Sequence, residues 1–301
     1  MGYLVSQYGM PNGLLHTLIA ALGLVLFGLS GPAMGMDELR LQYGISTSDQ
    51  RQVYPVRVLT AAMEATVQTD GPYRMVFSHY AMNRRRSLEE LQTGERINVA
   101  TAATRPEWEE RAIPVRIPIL KGLLGYRLFL IRGQDAGKFK GLQSLDDLKR
   151  LRAGGGRQWS FTDALERNGF TLVTSQDYDG LFIMLDFGRF DYFPRGVNEI
   201  YQEYETRRMS LPSLAIEPTL ALYCPLPSYF FISPRHPKLA DRIRRGMEII
   251  LENGVLDGLF EAYYRPVIER SKLKDRTIFR IDNPELPAAT PLDRPELWFR
   301  P

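Results

Sequence analysis

The stretch RQWSFTDALERNGFTLVTSQDYDGLFIMLDFGRFDYF, residues 157–193, decides the class of fold. Arg157 to Trp159 reads as a short strand and leads directly into Ser160-Phe161-Thr162-Asp163, the polar start of a helix that runs to Asn168 and stops at Gly169. Thr171 to Thr174 is the next strand, rich in β-branched residues. Tyr178 to Phe187 is a helix ended by Gly188, and Phe190 to Phe193 is a further strand. Short apolar strands alternating with capped helices are the signature of an α/β protein.

The same alternation extends in both directions. Upstream, Leu39 to Tyr43 reads as a strand and Pro55 as the first residue of a helix reaching about Thr69; Gly71-Pro72 then turns the chain into a strand over Tyr73 to Phe77. Asn83 to Thr93 is a helix closed by Gly94, Ile97 to Ala100 is a strand, and Ile113 to Pro118 and Tyr126 to Ile131 are extended. Ser144 followed by Asp147 is a capping box whose helix carries Leu145, Leu148 and Leu151 on one face. Gly154 is expected to end that helix. Gly154-Gly155-Gly156, lacking the Lys-Ser/Thr of a phosphate loop, reads as a flexible cap.

Downstream come a helix from about Val197 to Arg208 and extended runs at Leu214–Ile216, Thr219–Cys224 and Tyr229–Ser233. A helix over Pro237–Asn253 follows, with Leu239, Ile243, Met247 and Ile250 on one face. Asn253-Gly254 caps it, Val255 to Tyr264 forms another helix, and the proline-rich tail Pro284–Pro301 is expected to lie as an irregular strap.

The 301 residues are 44% hydrophobic and 24% charged, which suits a folded core and excludes disorder, collagen and coiled coil as descriptions of the whole. With 38 basic against 35 acidic residues and no long single-sign block, the chain lacks a nucleic-acid footprint. Its short run Arg84-Arg85-Arg86 reads as the solvated first turn of a helix. Met1 to Gly35 contains no charged side chain, and within it Leu18 to Leu29 is apolar and is followed by Ser30-Gly31-Pro32-Ala33-Met34-Gly35. Residues 1–35 therefore read as a signal peptide, although their amino-terminal region carries no Lys or Arg; an uncleaved anchor is the alternative. The lone Cys224 forms no internal disulfide and reads as a small buried side chain.

Several landmarks carry a resemblance: Gly141-Leu142-Gln143-Ser144-Leu145-Asp146-Asp147-Leu148, Gly188-Arg189-Phe190-Asp191, His236-Pro237-Lys238-Leu239, and residues 252–264, ENGVLDGLFEAYY. In this order, over about Leu39 to Tyr264, the chain resembles the family 3 bacterial extracellular solute-binding proteins, the amino-acid-type periplasmic receptors of ABC transporters. The resemblance implies the type II periplasmic-binding fold, two α/β lobes joined by a two-stranded hinge. Lobe 1 would comprise residues 36–132 and 226–301 and lobe 2 residues 133–225, with crossings near Arg132 and Pro225. It further implies a periplasmic, monomeric receptor that captures a small polar or anionic solute between its lobes and presents it to a membrane permease. A ligand-sensing module for a signalling receptor is the alternative.

The resemblance also indicates where ligand would bind. Many family members place an arginine for the ligand carboxylate after the third strand. Here Arg105 is the candidate and Arg111 the alternative, both displaced from the family spacing. In lobe 2 the candidates are Trp159, Ser160 and Thr162 at a helix start, with Tyr178 as an aromatic wall. The aspartate that takes a ligand ammonium in amino-acid binders is expected shortly after Gly188-Arg189-Phe190-Asp191, but this chain reads Tyr192-Phe193-Pro194-Arg195-Gly196. That departure puts a carboxylated or otherwise anionic ligand gripped by Arg195 on an equal footing with an amino acid. No nucleophile elbow, zinc-protease motif or Cys/His ligand spacing is present, so neither enzyme activity, cofactor nor metal is expected. A lyase using Glu107 and Glu109 is the one catalytic alternative.

Overall fold

The computed structural model describes residues 35–42, 52–78, 82–157 and 159–301; the expected signal peptide falls outside them except for Gly35. In chain order the elements are β1 (Asp37–Gln42), α1 (Val53–Glu64), α2 (Val67–Asp70), β2 (Tyr73–Ser78), α3 (Arg84–Thr93), β3 (Val99–Ala103), α4 (Pro106–Arg111) and β4 (Ile113–Val115). Then follow β5 (Tyr126–Arg132), α5 (Leu145–Lys149), β6 (Ala153–Gly156), α6 (Ser160–Arg167), β7 (Leu172–Ser175), α7 (Tyr178–Asp186), β8 (Tyr192–Gly196) and α8 (Ile200–Arg207). The chain closes with β9 (Leu214–Ile216), β10 (Leu220–Tyr223), β11 (Ser228–Ile232), α9 (Pro237–Glu252), α10 (Val255–Ser271) and β12 (Thr277–Arg280).

Local chemistry explains several boundaries. Asn83 accepts the Arg86 N–H at 2.9 Å to start α3, and Gly94 ends it in the left-handed region at φ +67°. Ser144 and Asp147 form the expected reciprocal capping box at α5. The last helix continues past Tyr264, through Pro266, to Ser271, because Val267 and Ile268 extend its packing against the core and outweigh one lost backbone hydrogen bond.

Two strand layers organise the chain. In the first, β1 pairs with β2 in parallel, while β11 lies between β3 and β4, antiparallel to both. Asn98 joins the two groups: its side chain accepts the Arg40 N–H at 2.7 Å and donates to the Glu38 carbonyl at 2.7 Å. The second layer is a seven-stranded sheet in the order β12-β10-β5-β8-β6-β7, with β9 also paired to β5. Side chains alternate between faces at period two. Thus Leu128 and Leu130 of β5 enter one core cluster and Phe129 and Ile131 another, while Tyr229 and Phe231 of β11 enter a third.

Three sequence expectations are corrected. Gly154-Gly155-Gly156 is a buried strand rather than a cap, because Phe190, Thr162 and Trp159 lie so close to it that a Cβ at each successive glycine would overlap them. The crossing expected near Arg132 lies earlier, at 116–125, because β5 pairs with β8, β9 and β10 of the second sheet. Residues 224–227 connect β10 of the seven-stranded sheet to β11 of the first layer. Residues 277–280, expected in the first lobe, form β12 and pair in parallel with β10, so a third crossing runs through 272–276.

Candidate functional site

Parallel strands β6 and β7 end at Gly156 and Ser175, and α6 and α7 begin just beyond them at Ser160 and Tyr178. The edge beyond the carboxyl ends of parallel strands, where helix N-termini present unpaired backbone N–H groups, is where α/β sheets collect ligands. Facing this edge from the first layer are the end of β3 and the start of α3. Arg105 follows β3, held extended before Pro106 at φ −155°, and Arg84 is the first residue of α3.

These two arginines meet the second layer at one hydroxyl. Ser160 Oγ accepts from Arg84 Nη1 at 2.5 Å and from Arg105 Nε at 3.1 Å, while Arg105 Nη2 pairs with Asp163 Oδ2 at 2.5 Å. Arg84 also donates to the Ala103 carbonyl at 3.5 Å. Burial, reinforced by the like charge of Arg105, pushes the Arg84 guanidinium down to about 10. Arg84 forms no ion pair with any described residue. The arrangement gathers two cations from one layer and, from the other, a hydroxyl at a helix N-terminus with the Asp163 carboxylate beside it.

The structure therefore brings Arg105 and Ser160 together and adds Arg84, which the sequence reading had assigned to a solvated face. Only its neighbours behave that way, with Arg85 paired to Glu89 and Arg86 to Glu90 one turn on. Nothing in the run Arg84-Arg85-Arg86 marks which arginine turns inward. Thr162 is buried against Gly155 of β6, a packing position. Arg111 is committed to Glu107 and Gln92. Glu107 is held by Arg111, and Glu109 accepts from Thr104 and Arg116, so the two acids of the lyase alternative sit in ion pairs.

Arg195 departs from expectation. Its guanidinium is buried, donates to both Glu203 oxygens at 2.7 and 2.5 Å, and lies 3.2 Å from Glu199. Burial alone would push it down; Glu199 and Glu203 reverse this and hold it above its ordinary value. A cation already gripped in this way does not offer a free fork to a ligand, so the expectation that Arg195 holds the anion gives way to an internal ion pair. Trp159, Phe193 and Tyr178 enclose it, with the guanidinium 4.8 Å from the Trp159 ring centre. Tyr178 donates its hydroxyl to Glu203 at 2.7 Å, and burial first, then Glu203, pushes that hydroxyl well up. Trp159 and Tyr178, their ring centres 6.2 Å apart, thus pack around a neutralised ion pair. Glu199 and Glu203, six and ten residues beyond Phe193 in sequence, carried no motif that would have singled them out.

Among the described residues no group of three His, Cys, Asp or Glu is placed to hold a metal ion. No helix among them is long and apolar enough to cross a membrane.

No protein-family model matches the sequence, and no curated protein is found similar to it. Solved structures are. An ancestral arginine-binding protein bound to arginine superposes with a TM-score of 0.53 at 15% identity, over 75% of this chain and 98% of that one. A putative binding component of an ABC transporter from Wolinella succinogenes, complexed with lysine, gives 0.53 at 16% identity, over 75% and 95%. An ancestral amino-acid-binding protein described as a precursor of cyclohexadienyl dehydratase gives 0.51 at 14%, over 75% and 95%. At these identities the likeness carries the fold: the chain has the two-lobed α/β fold of periplasmic amino-acid-binding proteins.

Proposed function

We propose that this protein is a periplasmic solute-binding protein that captures a carboxylated solute between its lobes and delivers it to a membrane partner, an ABC permease. One lobe is built on the β1–β4 and β11 layer and the other on the seven-stranded sheet, with the three crossings as the hinge. The observation that carries the reading is the convergence of Arg84 and Arg105 from one layer on Ser160 of the other. A ligand carboxylate entering there would accept from both guanidinium groups and from the first N–H groups of α6, replacing Asp163 as the partner of Arg105. Such contacts exist only when the lobes are together, so they shift the equilibrium toward closure. Trp159 and Tyr178 would wall the rest of the ligand. With Pro194 and a neutralised Arg195 where amino-acid binders of the resembled family carry a free aspartate, the reading does not require a ligand ammonium. The neutral leader, read as a signal peptide, supports the periplasmic address.

The test is thermal unfolding of the purified protein against amino acids, dicarboxylates and other carboxylated solutes. A ligand at a hundred times its Kd adds about 2.7 kcal/mol, which is roughly 5 to 10 °C in Tm for a chain of this size. Arg84→Gln and Arg105→Gln should each weaken the active carboxylate by about 2 to 5 kcal/mol. Unchanged affinity in both variants removes Arg84 and Arg105 from the binding site.

A further inference from the structure

Away from the cleft, residues 291–301 fold back beside the end of the second sheet. Trp298 is pinned there: its indole N–H donates to the Pro291 carbonyl at 2.9 Å, and its ring lies against Gly122, where a Cβ would overlap it. The Phe299 N–H donates to the Lys121 carbonyl at 2.7 Å, and its ring meets that of Tyr126 edge-on with centroids 5.8 Å apart. Between this strap and the edge strand β12 lies a groove of about 570 Å³, with Tyr126, Tyr223, Ile278 and Trp298 among its apolar lining. Four cations, Lys274, Arg276, Arg280 and Arg300, also line it, and no Asp or Glu side chain does.

Most arginines of this protein have carboxylate partners, as in Arg294 with Glu248 and Glu296, or Arg270 with Glu205. At the groove Arg276 keeps the pattern, lying 3.7 Å from the Glu217 carboxylate and donating to the carbonyls of Ser271, Glu217 and Leu220, and the other three cations depart from it. Lys274, Arg280 and Arg300 form no ion pair with any described residue; Arg280 instead meets the Tyr126 hydroxyl and lies 4.9 Å from the Tyr223 ring centre. Like charges around a low-dielectric wall, with no acidic side chain in the lining, concentrate anions. The volume suits a small organic ligand rather than a bare ion. An aromatic and aliphatic lining held in place by the Trp298 and Phe299 contacts is complementary to an apolar body, and the cations without carboxylate partners to a phosphate or carboxylate carried by it.

We infer that this groove is a second binding site, for a small anion with an aromatic or apolar body, its acidic group met by Lys274, Arg280 and Arg300. The same anionic chemistry is offered by a lipid headgroup, so the test separates the two sources. Titration calorimetry of the full protein with phenyl phosphate is expected to show one saturable site. Inorganic phosphate should bind roughly tenfold more weakly for want of the ring contacts. Arg280→Gln with Arg300→Gln, both at exposed side chains, should weaken phenyl phosphate about tenfold or more while leaving the circular dichroism spectrum unchanged. Three results overturn the inference: no saturable heat with phenyl phosphate up to about 10 mM; loss of binding in Arg84→Gln/Arg105→Gln but not in Arg280→Gln/Arg300→Gln, which places the probe in the cleft; or co-sedimentation with phosphatidylglycerol vesicles by a protein that does not bind phenyl phosphate.

Discussion

At the scale of single residues, Glu203 determines what Arg195 can do. Only 8% exposed, it takes two hydrogen bonds from Arg195 and one from Tyr178, and so converts a buried cation into a neutralised ion pair with Trp159 and Tyr178 packed around it. Glu203→Ala strands that cation with Glu199 as its nearest acid and is expected to destabilise the fold by about 3 to 5 kcal/mol in urea denaturation. Replacing both members, as Arg195→Met with Glu203→Leu, should recover most of that loss, because an apolar pair leaves no charge uncompensated. Equal losses in the single and double variants would mean that packing, not charge compensation, is what Glu203 supplies. Arg195 was legible in the sequence as an unusual cation at the end of a strand. Its partner was not, since a carboxylate eight residues on declares no contact until the helix that carries it is placed.

At the scale of elements, the turn Gly188-Arg189-Phe190-Asp191 shows how one side chain ties two strands. The Asp191 carboxylate accepts the Arg152 N–H at 2.8 Å and the Lys138 ammonium at 2.7 Å, joining the entrance of β6 to the entrance of β8. Burial pushes this carboxyl up, but Lys138 and the Arg152 N–H outweigh it and hold the group below its usual value. A carboxyl depressed in the folded state contributes stability above its unfolded pKa of about 3.9 and loses that contribution as the pH falls through the lower folded value. Asp191→Asn should therefore cost about 1 to 3 kcal/mol near neutral pH. Its deficit against the wild type should narrow in denaturation curves taken below about pH 4. A deficit that stays constant across that range would assign the effect to shape rather than charge. The caps at Asn83 and Ser144 were legible because capping is settled within four residues. The strand at 153–156 was not, because its glycines are required by Phe190, Thr162 and Trp159, which arrive from other elements.

At the scale of the whole molecule, the Arg105–Asp163 pair and the hydroxyl of Ser160 bridge the two layers. The pair is partly exposed, 18% at Arg105 and 31% at Asp163. It is therefore worth about 1 kcal/mol, or roughly a fivefold bias toward the closed arrangement. Asp163→Ala should shift the protein toward a larger radius of gyration in small-angle scattering. An unchanged scattering profile would show that other contacts hold the lobes together.

The sequence by itself determined the α/β class and the helix caps at Asn83 and Ser144, because periodicity and capping are local; Arg105, Trp159, Ser160 and Tyr178 entered as candidates through the family resemblance. Tertiary structure alone decided the rest. It moved the first crossing ahead of β5, returned β12 to the second sheet, turned Arg84 inward and gave Arg195 to Glu203. Each of these depends on which segments pair across long separations in the chain, and strand pairing and charge pairing are set by three-dimensional proximity, which no run of neighbouring residues encodes.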